Sequence, residues 1–364
     1  MNIINHIKKL DFLLIFSASA LSIIGIISIY SVCLSSDDFS DFYKQIIFFA
    51  VAIFIMFLMS LLDNRIIREN SSLILTLYFF CIITLLGVFF FAPEIRGIRS
   101  WYKIGPISFN PIELTKIILI ILLAKYFSRR HIEMYKVGHI ILSGIYVFIP
   151  SILIFFQPEF GSVIILVAIW VGILLVSGIK IKDFLLLCLA GIIALSFVWS
   201  FLIEDYQKDR MLSFLNPQED PLGADWNKNQ ALIAIGSGGI LGKGIGEGSQ
   251  VQNGFLPEPE TDFIFSVVAE EMGLIGVTAL LSLFGILFWR ILRVALNARS
   301  NFTRFFAAGL SISIFIQMVI NIGMNLGIFP IIGLPLPLVS YGGSNIVFSF
   351  LALGIIQNMI LVDS

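Results

Sequence analysis

The chain has 364 residues, 58% hydrophobic and only 13% charged, with 35 phenylalanines and a mean hydropathy of +0.98. That composition excludes an ordinary soluble domain and points to an integral membrane protein. The formal net charge of −1 says less than the side on which the charges fall, and no basic run or helical stripe offers a footprint for nucleic acid, so none is expected as a partner.

Apolar runs of about 18 to 22 residues, bounded by charged or turn-forming stretches, predict helices that cross a bilayer. They fall near 12–33, 43–61, 72–92, 110–127, 138–156, 159–178, 183–203, 263–289, 305–328 and 343–362. The expected fold class is an all-α integral membrane protein: a polytopic bundle of about ten transmembrane helices in one domain, 1–364, with a long extracytoplasmic loop at 204–262. The first run follows a basic start and is long enough to span, unlike the shorter core of a cleavable signal. Only Gln157, Pro158 and Glu159 separate the fifth run from the sixth, which makes them a tight hairpin or one broken segment. Cys33, Cys81 and Cys188 sit in or beside apolar runs without metal-ligand spacing and read as small core or lipid-facing residues.

Orientation follows from the short loops. With Lys8 and Lys9 inside, the same side receives Arg65, Arg68, Arg129, Arg130, Lys136, Lys180, Lys182, Arg290, Arg293, Arg299 and Arg304, so both termini are expected in the cytoplasm. Asp37, Asp38, Asp41 and most acids of 204–262 then lie outside. One outer loop breaks the rule: EIRGIRSWYK puts Arg96, Arg99 and Lys103 beside Trp101 and Tyr102. These residues either anchor the chain at the interface by snorkelling or form a site for an anionic or sugar-bearing head group.

Ionisable groups at membrane depth need a reason, because each costs at least about 2.5 to 3.5 kcal/mol at mid-bilayer. Glu113 and Lys116 in NPIELTKIILI are three apart, share a helix face and can pair, as a self-neutralising structural pair or as the wall of a polar cavity. Glu159 in QPEFG is a further case. The long outer segment is too polar to be buried in lipid and too long for a simple hairpin. Its AIGSGGILGKGIGEGSQ stretch fails the phosphate-loop pattern, since Ser237 stands where the first glycine belongs and Gly244 follows Lys243. Closely spaced glycines still let backbone amides approach a phosphate or sugar.

FLPEPETDFIFSVVAEEMG, residues 255–273, places Glu258 and Glu260 in a Pro-stiffened approach, Asp262 at the start of the eighth run, and Glu270 with Glu271 about 12 Å deeper on a straight helix. Asp262 caps that helix or performs chemistry at the water–membrane boundary; Glu270 and Glu271 are expected to line a cavity or pack. Prolines in NLGIFPIIGLPLPLVSYGGSN predict an irregular outer loop dipping toward the bundle, with Ser340, Tyr341 and Ser344 at its inner edge as candidates for holding a polar head group; a plain connector is the alternative.

Taken together, NPIELTK, QPEFG, NKNQALIAIGSGGILGKG, FLPEPETDFIFSVVAEEMG and GLPLPLVSYGGSN resemble, in family order and over nearly the whole chain, the bacterial SEDS (shape, elongation, division, sporulation) proteins. NPQEDPLGADWN, the IGSGG form and AEE favour the elongation branch. The chain departs from the usual pattern at NPIE, QPEFG, Ala231 and Asn345. The resemblance implies a peptidoglycan glycosyltransferase of the bacterial cytoplasmic membrane that polymerises lipid II, a disaccharide-pentapeptide on undecaprenyl diphosphate. It further implies a class B penicillin-binding protein as transpeptidase partner, alongside other membrane proteins of the elongation complex. Its catalytic carboxylate falls on Asp262, as general base for the attacking hydroxyl. Lys116, Arg210, Lys243, Arg96 and Arg99 are candidate cations for the departing diphosphate, Arg210 and Lys116 foremost. A divalent cation such as magnesium would serve the same purpose, although no carboxylate cluster has diagnostic spacing. A lipid II flippase and a non-catalytic scaffold are the competing readings; polar motifs concentrated on one side argue against alternating access.

Overall fold

The computed structural model describes residues 9–62, 68–93, 99–105, 107–130, 137–201 and 224–363; Arg96 and Arg210 lie outside them. The chain is a helical bundle with helices α1 (Phe12–Ser36), α2 (Ser40–Leu61), α3 (Ser71–Phe91), α4 (Pro111–Arg130), α5 (Val137–Phe155), α6 (Phe160–Val176) and α7 (Ile181–Phe201). There follow α8 (Ala224–Ser237), the short α9 (Ser249–Gln252), α10 (Ile264–Asn297), α11 (Asn301–Asn325) and α12 (Gly343–Asp363). Ten of these coincide with the expected apolar runs, and seven are long and apolar enough to cross a membrane by length and composition. α4 carries Glu113, Lys116, Lys125, Arg129 and Arg130 among its apolar residues.

The helices are apolar nearly all round because in hydrocarbon only a helix satisfies every backbone group within its own segment. Their ends follow local chemistry. Asp11 caps α1 by accepting from the Leu14 amide at 3.2 Å, Ser300 caps α11 by accepting from Thr303 at 3.1 Å, and Pro111 opens α4, where its missing N–H costs nothing. α5 and α6 are two helices packed as a hairpin across the 156–159 turn.

α12 packs chiefly on α2, α10 on α1 and α11, and α11 also on α4 and α6, so α11 runs through the middle of the bundle with most of its residues buried. Phe127, Phe284, Phe305, Phe306 and Phe350 fill the core; in lipid it is this close packing, rather than a hydrophobic drive, that holds helices together. At one end Asp11 joins three helices: its amide and carbonyl exchange 2.9 Å bonds with Gln357 of α12, and its carboxylate accepts from Arg290 Nε of α10 at 2.7 Å.

Two features were not expected. A two-stranded antiparallel hairpin, β1 (Tyr102–Ile104) with β2 (Ile107–Phe109), pairs Tyr102 with Phe109 and interrupts the all-helical pattern. The described part of the 204–262 segment holds α8 and α9, which form a small separate core of Ala231, Ala234, Val251, Leu256, Phe263 and Val267. As expected, the proline-rich 326–342 loop dips inward. Its Val339 carbonyl lies against Gly25, midway along α1, where a Cβ would come within 2.0 Å of the oxygen.

Candidate active site

Asp262 sits at the end of a tight turn. The amides of Thr261 and Asp262 both donate to the Glu258 carbonyl at 3.2 Å, with Glu258 in a left-handed conformation at φ 45. The helix that follows takes Phe263 as its cap residue, one position after Asp262. Its carboxylate is half-buried and faces Gly333, where an ideal Cβ would lie 3.5 Å from Oδ2.

Its backbone is fixed from α11. Asn321 Nδ2 and Asn325 Nδ2 donate to the Asp262 carbonyl at 3.0 and 2.9 Å. Asn321 Nδ2 also reaches the Leu334 carbonyl at 2.7 Å, and Asn325 Oδ1 accepts from Ser266 Oγ at 2.6 Å and its amide at 3.3 Å. One turn earlier, Gln317 Nε2 donates to the Pro335 carbonyl at 2.9 Å, and its Oε1 accepts from Lys116 Nζ at 3.2 Å. Gln317, Asn321 and Asn325 recur every four residues and share one helix face, so a continuous polar stripe runs from Lys116 to Asp262. QMVINIGMN displays this spacing in the sequence, inside an apolar run whose hydropathy masks it.

The expected loop residues meet the same turn. Ser340 Oγ donates to the Thr261 carbonyl at 2.5 Å and accepts from the Leu336 amide at 2.8 Å, and the Tyr341 amide donates to the Glu260 carbonyl at 2.8 Å. The FLPEPETDF and GLPLPLVSYGG segments, some 75 residues apart, are thus stitched together. The Tyr341 hydroxyl donates to Asp41 Oδ1 at 2.9 Å; burial, and then the Asp41 charge, hold its proton above the ordinary tyrosine range. Ser344 accepts from the Asn110 amide at 2.9 Å, tying the β-hairpin to α12 rather than joining the Asp262 turn.

Lys116 is buried and pairs with Glu113 at 2.7 Å. Both line a small cavity between α4, α11 and α12 with Ser313, Gln317, Pro337 and Ser349. Trp101 is half-buried and Arg99 exposed; next to them the Tyr102 hydroxyl donates to the Thr84 carbonyl of α3 at 2.6 Å. In the turn between α5 and α6, Glu159 accepts from Ser162 Oγ at 3.2 Å, and burial pushes its carboxyl up to about 7.

Lys243 goes elsewhere: its Nζ pairs with the fully buried Glu270 at 2.7 Å. Glu271 accepts from Ser31 Oγ of α1 and from the Gly246 amide. The two acids therefore pack against the glycine-rich segment. Among the described residues, no group of three or more His, Cys, Asp or Glu side chains is placed to hold a metal ion.

The fold and site define a polytopic helical membrane protein with a braced carboxylate at one end of its bundle. The profile of the cell cycle protein family of FtsW, RodA and SpoVE matches residues 9–362, and the chain belongs to that family. It is 36% identical to stage V sporulation protein E of Bacillus subtilis over 360 residues, 96% of each chain. It is also 36% identical to the peptidoglycan glycosyltransferase MrdB of Escherichia coli K12, over 89% of this chain and 87% of that one. Among solved structures, a chain from a peptidoglycan synthase complex that coordinates polymerization and crosslinking superposes with a TM-score of 0.82 at 29% identity, covering 97% of this chain and 98% of that one. The rod shape determining protein RodA of Thermus thermophilus superposes with a TM-score of 0.70 at 27% identity, covering 97% of both.

Proposed function

We propose that the chain is a peptidoglycan glycosyltransferase of the elongation type that polymerises lipid II at the outer face of the bacterial cytoplasmic membrane, with Asp262 as general base. The observation that carries the reading is the turn at Asp262, braced by Asn321 and Asn325 from α11 and by Ser340 from the 326–342 loop, in a chain whose relatives include a named peptidoglycan glycosyltransferase.

The reaction joins a sugar hydroxyl to the anomeric carbon of a second lipid-linked sugar and expels the lipid diphosphate. Asp262 accepts the hydroxyl proton as the new bond forms; a carboxylate held by its own backbone loses little orientation freedom when it does so. The leaving diphosphate gains negative charge, and Lys116 is the proposed cation to offset it, exchanging its Glu113 partner for the phosphate, with Arg99, Arg96 and Arg210 as further candidates. Lys243 pairs with Glu270, which has no exposure. A class B penicillin-binding protein is the proposed partner, supported by the likeness to a synthase-complex chain.

The test against transport uses two assays on one preparation. The purified chain with its partner, given lipid II in detergent, yields glycan strands; the same chain in sealed vesicles does not carry lipid II from one leaflet to the other. Movement across the vesicle wall with no strand formed in either setting contradicts the proposal.

A further inference from the structure

The helix that starts beside Asp262 is not continuous. At Gly273 (φ 63, ψ −161) the ladder of α10 breaks, and the glycine-rich turn after α8 fills the gap. The amides of Lys243 and Gly244 donate to the carbonyls of Glu270 and Glu271 at 3.0 and 3.1 Å, and the amides of Leu274 and Ile275 donate to the carbonyls of Gly239 and Ile240 at 2.9 and 3.2 Å. These are the four groups that an unbroken helix would have paired with one another. An open ladder at membrane depth is tolerated only where protein closes it, and here a single turn does so. A Cβ on Gly273 would lie 2.3 Å from the Gly242 nitrogen, so the two backbones meet only without one.

The Glu270 side chain locks this splice. With no exposure, it accepts from Lys243 Nζ at 2.7 Å, Ser249 Oγ at 3.2 Å, Ser237 Oγ at 3.3 Å and the amides of Gln250 and Val251 at 3.0 and 3.3 Å. One carboxylate therefore grips both ends of the turn. Between the splice and Asp262 lie residues 264–272, a largely buried helical rod about 13 Å long. Its far end is pinned by Asn321 and Asn325. Phe263 and Val267 share a core with Ala231, Ala234 and Val251 of α8 and α9, so the rod packs on the same elements that bear the splice.

We propose that Glu270 is a positioning residue for the glycosyl transfer: by holding the 237–251 turn in the break at Gly273, it sets the height and tilt of the short helix that presents Asp262. Lys243 is its counter-ion and not a cation for the substrate. This deepens, and rests on, the reading of Asp262 as base.

The test is a charge-rescue comparison on the full chain with its partner, read by lipid II turnover and by hydrogen–deuterium exchange at residues 243, 244, 274 and 275. Lys243→Met strands a buried carboxylate; turnover should fall about tenfold or more with KM for lipid II within about twofold, and the four amides should exchange faster. Adding Glu270→Gln removes the stranded charge, and turnover should return to within about threefold of wild type, with protection restored. Ser249→Ala, a milder lesion for use where Lys243→Met does not fold, should give a smaller drop in turnover and intermediate exchange. A double variant as slow as Lys243→Met alone, or a Lys243→Met loss that appears in KM, overturns the proposal and returns Lys243 to the substrate. Equal exchange in all four proteins overturns the lock itself. A wild type that forms no strands yet shows the expected exchange pattern removes the reading of Asp262 as base while keeping Glu270 as the lock.

Discussion

At the scale of single residues, the site depends on side chains that never touch a reacting atom. Asn325 supplies a donor to the Asp262 carbonyl and an acceptor to both polar groups of Ser266. Asn325→Leu removes these bonds: the Asp262 carbonyl keeps Asn321 and the Ser266 amide keeps the Phe263 carbonyl, while the buried Ser266 hydroxyl loses its bond to Asn325, at about 1–3 kcal/mol. A melting temperature lowered by several degrees in detergent, with turnover down about tenfold, is expected, because the turn that aims Asp262 is loosened. Glu159 gives a prediction with a sign. Its folded-state carboxyl is raised to about 7 from the ordinary 4.5, so the folded chain holds that proton more tightly than the unfolded one. Its contribution to stability is full below about 4.5 and declines as pH rises through 7. Glu159→Gln removes the decline, and its gain in melting temperature over wild type should be larger at pH 8 than at pH 5; a gain independent of pH would show that Glu159 is not held protonated. Asp262 was legible as a carboxylate where an apolar run begins, and its proposed role as base came from the family resemblance of TDFIF. The fate of Lys243 was not, since its partner lies 27 residues away and the sequence offers six acids between 247 and 271 without ranking them. The Gln317–Asn321–Asn325 stripe was visible as a spacing and hidden by the hydropathy around it.

Among elements, the long apolar helices were legible because a bilayer leaves the backbone few choices. Their ends shift from the expected positions by a few residues, except for α10, which runs on to Asn297, eight residues beyond the apolar stretch, as a charged and amphipathic extension. What the sequence concealed is how irregular segments use the bundle. α8 and α9 lie in a stretch polar enough to read as loop, and their apolar residues match a core supplied from elsewhere. The break at Gly273 looks like any glycine within an apolar helix, because the turn that fills it is some thirty residues upstream. The descent of the 326–342 loop was legible from its prolines, while its depth depends on Gly25. Gly25→Val would drive side-chain atoms into the Val339 carbonyl. The expected outcome is loss of most turnover together with a lower melting temperature, as the loop bearing Ser340 is pushed off the Asp262 turn; wild-type turnover would show that the loop's depth does not govern the site.

For the molecule as a whole, one topology has to reconcile the charges and the site. Placing the Arg290–Asp11 end in the cytoplasm puts the Asp262 turn, the β-hairpin and Asp41 outside. Single cysteines in a cysteine-free background test this placement: Ser35→Cys, exposed at the end of α1, should react with an impermeant maleimide on intact cells, and Asn297→Cys only after permeabilisation. The reverse pattern would invert the proposed orientation. Within that frame, α11 braces the carboxylate from inside the bundle, the proline loop closes over it, and the spliced turn supports its helix from beside. All three converge on one side chain, so the account stands or falls with Asp262. The most direct measurement is strand formation from lipid II by the purified complex carrying Asp262→Asn, an isosteric change that keeps the turn and removes the base. No strands above background are predicted, with lipid II binding retained. Strands formed at the wild-type rate would contradict the account.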